Sequence, residues 1–237
     1  MDIDDEVYAT EGVNDVDMDD KPAIQFDENS SVMICGSSKS GKTYWINTFL
    51  KNLDKMFTGR PPDEVLYYYM HKQPLYGEMT DTLGDRIVFR QGVPTLEDIL
   101  EFAKEDDNHR LIVLDDVMHL VVNNDDMSLL FTQLVHHKQL SCIIVYQNLY
   151  AKGKHSKTIS LNSSYVVLFN NIRDKLQVRY LGSQVFPGKT KVFMKSYTDA
   201  MKEPHGYLLI DMTAAINDEY RLRTDIFPGE EMMSYQF

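Results

Sequence analysis

Val32-Met33-Ile34-Cys35-Gly36-Ser37-Ser38-Lys39-Ser40-Gly41-Lys42-Thr43 joins four apolar residues to a polar loop that is bounded by glycines and ends in Lys-Thr. The apolar run reads as a strand, and Trp45, Ile46, Phe49 and Leu50 after the loop fall at helical spacing, so the segment predicts strand, loop and a helix from about Gly41 to Leu53. Glycines at both ends let the backbone close around an anion with its N–H groups pointing inward, and the following helix turns its positive end to the same anion. Gly36, Ser37, Ser38, Lys39, Ser40, Gly41, Lys42 and Thr43 are therefore expected to hold the phosphates of ATP. Lys42 would reach the β- and γ-phosphates, and the Thr43 hydroxyl would join the shell of a Mg²⁺ ion.

A second run completes that chemistry. Arg110-Leu111-Ile112-Val113-Leu114-Asp115-Asp116 is continuously apolar and ends in two carboxylates. Such a run suits a central parallel strand covered on both faces, and its C-terminal end is where open α/β sheets bind ligands. Asp115 is the expected magnesium-side carboxylate and Asp116 the expected base for the attacking water. Ser141 to Asn148 is a third strand-like run ending in two amides, of which Gln147 is the candidate sensor of the γ-phosphate. A helix or turn cap is the structural alternative for Asp116 and for Gln147.

The remaining pattern alternates. Strands are predicted at Glu64 to Met70, Ile87 to Phe89, Tyr165 to Phe169 and Tyr207 to Met212, the last followed by a polar C-terminal segment. Helices are predicted after Thr95 as cap, around Leu129 to Leu134, from Asp174 to Val185 and from Val192 to Met201. The expected fold is α/β, a P-loop NTPase of RecA/ASCE-like kind with a mostly parallel sheet flanked by helices.

Composition bounds the rest. With 237 residues and 43% hydrophobic content the chain can bury one good core. It contains no apolar run long enough to span a membrane and begins with no signal-like segment, so an intracellular location is expected. Cys35 and Cys142 fall in apolar runs and read as buried thiols, with no metal site other than magnesium expected.

The net charge of −12 is unevenly placed. Residues 1–30 hold eleven acids and one lysine, which predicts a disordered acidic tail before an ATPase domain at 31–237. Between Met127 and Thr198 there is one acid, Asp174, against ten Lys or Arg. That bias fits a surface that meets phosphates, and equally a solvated face or a docking patch for an acidic protein.

From His136 to Tyr150 the sequence resembles the sensor-strand block of the genome-packaging ATPases of poxviruses, adintoviruses, virophages and polinton-type elements, within the FtsK–HerA superfamily. Tyr67-Tyr68-Tyr69 with Gln73-Pro74-Leu75-Tyr76, Phe89 with Gly92 and Pro94, Ile112 to Met118, and Ser160 through Asn171-Ile172-Arg173-Asp174 to Pro187 follow the same pattern in the same order. The chain departs from it with Asp116, where the wider superfamily more often has Glu, and with Ile172, where Pro is frequent. The resemblance implies a homo-oligomeric ring that drives double-stranded DNA into a preformed capsid, with capsid vertex or portal proteins as partners. It also implies a location in the host nucleus, a cytoplasmic virus factory or the virion. Arg173 becomes the first candidate for the positive charge that stabilises the transition state, with a salt bridge to Asp174 or a helix-start role as its structural alternative, and Lys39 the second; Lys152, Lys154 and Lys157, around Gly153, become candidate DNA contacts.

Other functions stay open at this level. A DNA helicase or segregation motor of the same superfamily would share the engine, and a nucleotide-bound scaffold would keep the binding loop without hydrolysis. A small-molecule kinase would need a lid carrying several arginines, whereas residues 152–157 carry lysines only. The length after Thr43 is expected to complete the sheet and leave none for a fused nuclease.

Overall fold

The computed structural model describes residues 8–11 and 24–236. The ten strands in chain order are β1 (Tyr8–Glu11), β2 (Ser31–Cys35), β3 (Glu64–Tyr69), β4 (Ile87–Gln91), β5 (Arg110–Asp115), β6 (Leu140–Tyr146), β7 (Tyr165–Phe169), β8 (Tyr207–Asp211), β9 (Leu222–Thr224) and β10 (Met233–Gln236). They form one sheet in the order β1-β10-β9-β8-β7-β2-β6-β5-β3-β4. From β7 to β4 every pairing is parallel. From β7 to β1 every pairing is antiparallel.

Helices α1 (Lys42–Lys51), α2 (Leu75–Leu83), α3 (Leu96–Phe102), α4 (Met118–Val121), α5 (Asp125–Leu129), α6 (Val135–His137), α7 (Ser156–Leu161), α8 (Lys175–Val185) and α9 (Thr190–Ala200) cover both faces, with a π-helical turn at Leu130–Leu134 joining α5 to α6. Alternation along β2 decides which residue meets which face. Val32 and Ile34 join the layer built by Trp45, Ile46, Phe49 and Leu50 of α1. Met33 and Cys35 join the opposite layer with Phe131, Val178, Leu181, Phe193 and Tyr197. Ile46, Phe49 and Leu50 are each at most 1% exposed. Burial on that scale stabilises by roughly 1.5–3 kcal/mol per side chain. Both cysteines are buried free thiols, and burial pushes the Cys35 thiol up to about 12.

Most expected elements are present, and Thr95 caps α3 through a capping box with Asp98. Three readings change. The segment after Pro74, where no helix is expected above, is α2: Pro74 has φ −56° and ψ −36°, which suits the start of a helix. β8 pairs antiparallel, and the polar C-terminal segment adds β9 and β10 beyond it. Within residues 1–30, Tyr8–Glu11 pairs with Met233–Gln236, and Ile24, Phe26 and Ser30 are buried, Phe26 in T-shaped contact with Phe49 and Tyr165. The packed domain therefore begins by residue 24, ahead of the expected boundary at 31, and the other residues of the acidic segment, 1–7 and 12–23, lie outside the described ones.

Candidate nucleotide site

The register of the parallel strands brings the expected site residues to one edge. Cys35 at the end of β2 pairs with Tyr146 and Leu168, and Asp115 at the end of β5 pairs with Tyr69. The phosphate loop is anchored to both neighbours of β2: Gly36 N–H donates to the Tyr146 carbonyl at 3.2 Å, and the Ser37 hydroxyl donates to the Asn170 carbonyl at 2.9 Å.

Two glycines make the loop possible. A Cβ on Gly36 would lie 2.5 Å from the Cβ of Phe169, and Gly41 has φ +113° with the His205 Cβ 2.9 Å from where its own would be. Lys39 also sits in the left-handed region, at φ +65°. Gly41 is the N-terminal boundary of α1, so the free N–H groups of the first turn open onto the loop.

Lys42 is buried and its ammonium donates to the carbonyls of Gly36 and Ser37, both at 2.7 Å. Burial lowers its pKa, opposed by the charges of Asp115 and Asp116. A cavity of about 460 Å³ lies beside it, lined among others by Lys39, Thr43, Asp115, Asp116 and Gln147. Arg173, by contrast, is exposed, lines no part of that cavity and makes no ion pair among the described residues, so the salt bridge to Asp174 is not formed.

The two carboxylates are held differently. Asp115 is 2% exposed, and burial raises its pKa against the hydrogen bonds of two tyrosines. The Tyr67 hydroxyl donates to its Oδ2 at 2.8 Å, the Tyr76 hydroxyl at 3.2 Å and the Gln73 amide at 3.5 Å. Asp116 turns the chain in the left-handed region at φ +57°, a conformation Asp tolerates better than most residues. Its Oδ1 accepts a 2.9 Å hydrogen bond from Gln147 Nε2. Asn171, just past β7, donates to the Gln147 carbonyl at 3.4 Å.

Sequence reasoning passed over Tyr67, Tyr76, Gln73, Asn171 and His205. The first three stand in the aromatic block around Pro74, whose signal was visible but had no assigned chemistry. His205 lines the site from the turn before β8 and stacks on Tyr44 at 5.9 Å, a contact that no local pattern announces.

The expected DNA loop is less free than a glycine between lysines suggests. Gly153 abuts Val122, with 2.5 Å between a Cβ on the glycine and the Val122 Cβ, and the His155 N–H donates to the Val122 carbonyl at 2.8 Å. Lys154 is paired with Asp125 at 2.7 Å, and Lys157 rides on α7. Lys152, Lys154 and Lys157 are all exposed.

The residues fit a magnesium–nucleotide complex. Two glycines leave a cradle that a Cβ would fill, and Asp115, its Oδ2 engaged by three donors, lines the same cavity as Thr43. No helix among the described residues is long and apolar enough to cross a membrane. A comparison with curated proteins gives no match. The family described as AAA domain matches residues 25–152, from the residue before Phe26 through the phosphate loop, both carboxylates and Gln147. The chain, with its phosphate loop at the C-terminal edge of an α/β sheet, belongs to the AAA domain family of P-loop nucleotide-hydrolysing proteins.

Proposed function

We propose that this protein is an ATP-driven motor that moves double-stranded DNA into a preformed capsid, working as a homo-oligomeric ring docked on capsid vertex or portal proteins. The observation that carries the catalytic part is the Gln147–Asp116 hydrogen bond beside Lys42 and Asp115, which joins sensor and base in one cavity. The sequence blocks that resemble packaging ATPases, and the basic bias from Met127 to Thr198, support the DNA-coupled part.

In this reading the phosphate loop and the first turn of α1 bind the phosphates, and Lys42 exchanges its two loop carbonyls for phosphate oxygens. Asp116 orients a water for attack on the γ-phosphorus and accepts its proton, and ADP leaves. Magnesium, held by Thr43 and through Asp115, would neutralise charge developing on the phosphates. Arg173, exposed and outside its own cavity, would act on the site of a neighbouring subunit. Lys152, Lys154 and Lys157 would contact the DNA backbone without reading bases. The working location would be the host nucleus, a virus factory or the virion.

The test is the ATPase rate of the full chain with and without double-stranded DNA, at low and moderate salt, beside Lys42→Ala. Stimulation that fades with salt and is lost in the variant is the expected result. Hydrolysis indifferent to DNA would overturn the motor reading, and ATP binding without hydrolysis, on DNA and capsids alike, would leave a scaffold.

A further inference from the structure

The aromatic block Tyr67-Tyr68-Tyr69 with Gln73-Pro74-Leu75-Tyr76 has no role in the nucleotide chemistry as derived above, yet it surrounds one of its carboxylates. Tyr67 on β3 and Tyr76 on α2 are 0% and 3% exposed, and both point their hydroxyls at Asp115 Oδ2, which the Gln73 amide also reaches. Three donors from three positions on one oxygen remove the freedom of the carboxylate to rotate about its last bond.

We infer that Tyr67, Tyr76 and Gln73 are positioning residues that fix Asp115 with Oδ1 turned toward the magnesium shell, so that this block sets the affinity for magnesium-bound nucleotide. Outer partners of this kind orient a metal-side ligand without touching the metal. Their own placement is rigid: Tyr76 stacks on Phe89 at 4.9 Å and leans on Tyr67 at 5.1 Å. α2 is tied to the helix of the phosphate loop, with Glu78 accepting from Asn47 at 3.2 Å and pairing with Lys51 at 2.9 Å. The donors to the carboxylate and the helix that receives the phosphates thus sit on one packed body. The cage explains why the chain places tyrosine, not phenylalanine, at two positions whose rings are buried: a buried hydroxyl without an acceptor would cost stability.

The inference rests on the reading of Asp115 as the magnesium-side carboxylate, and the experiment separates the two. Affinity for a non-hydrolysable ATP analogue is measured on the full chain by calorimetry, with magnesium and with EDTA, for wild type, Tyr67→Phe, Tyr76→Phe, Gln73→Ala and Tyr69→Phe. Tyr69 belongs to the same aromatic cluster, 5.3 Å from Tyr76, and is the strand-pairing partner of Asp115 through the backbone, but its hydroxyl is not among the donors to the carboxylate, so its variant reports packing alone. Tyr67→Phe and Tyr76→Phe are expected to lose about 10–100-fold in magnesium-dependent affinity. Their affinity in EDTA and that of Tyr69→Phe should stay within about twofold of wild type. Unchanged magnesium dependence in Tyr76→Phe and Gln73→Ala overturns the inference even if Tyr67→Phe fails to fold. A wild type whose nucleotide affinity ignores magnesium, or an Asp115→Asn variant that keeps the full effect, overturns the assignment of Asp115 and the inference with it.

Discussion

Asp116 combines a left-handed backbone at φ +57° with a side chain held by Gln147, an arrangement that aims its carboxylate across the phosphate cavity from the end of β5. Strain in a non-glycine residue persists only where the surroundings over-determine it. Asn shares with Asp the tolerance for this conformation, so Asp116→Asn should leave the fold and ATP binding intact while removing the proposed proton acceptor. Turnover is expected to fall about 10²–10⁴-fold with unchanged nucleotide affinity. Gln147→Ala, which frees Asp116 without discharging it, should cost less in turnover than Asp116→Asn. Single-turnover kinetics beside a binding titration check both, and equal losses would mean that the amide itself contacts the reacting phosphate.

At the scale of elements, close approach matters more than propensity. Gly182 lies inside α8, where Ala would be worth about 1 kcal/mol more as a helix former. A Cβ there would sit 2.2 Å from Cδ1 of Phe193 on α9, a ring that is fully buried and has nowhere to move. Overpacking of this kind costs typically 1–3 kcal/mol. Gly182→Ala is therefore expected to lower stability by up to about 2 kcal/mol net, read as a shift in denaturant midpoint at constant m-value. The elements themselves were legible to different degrees. α1 announced itself through the phosphate loop and its apolar spacing, and α3 through Thr95. α2 was hidden because Pro74 reads as the end of a strand as readily as the start of a helix. β9, with three residues, and β1 and β10, with four each, are too short to show a period and exist through their pairing.

For the whole molecule, the parallel half of the sheet carries the candidate nucleotide site and the antiparallel half extends the edge beyond β7. Arg173 stands past β7, exposed and outside the nucleotide cavity of its own chain. Mixing decides its place: Arg173→Ala and Lys42→Ala, each inactive alone, should regain part of the DNA-stimulated activity when combined if the arginine serves a neighbouring subunit. An intact loop then meets an intact arginine at some of the boundaries. No recovery in verified mixed assemblies would put the arginine in its own subunit or outside catalysis.

The sequence by itself determined the strand–loop–helix unit at Val32 to Leu50, the acidic strand at Arg110 to Asp115 and the candidate nucleotide residues, because these rest on backbone requirements and local periods that a short stretch carries whole. Tertiary structure alone decided that Gln147 bonds Asp116, that two tyrosines and a glutamine converge on Asp115, that Gly153 is pinned on Val122 and that Phe26 belongs to the core. Each of these joins residues 19 or more positions apart. Such contacts are fixed by strand order and register, and strand order follows from the burial of two helical layers at once, which no window of sequence contains.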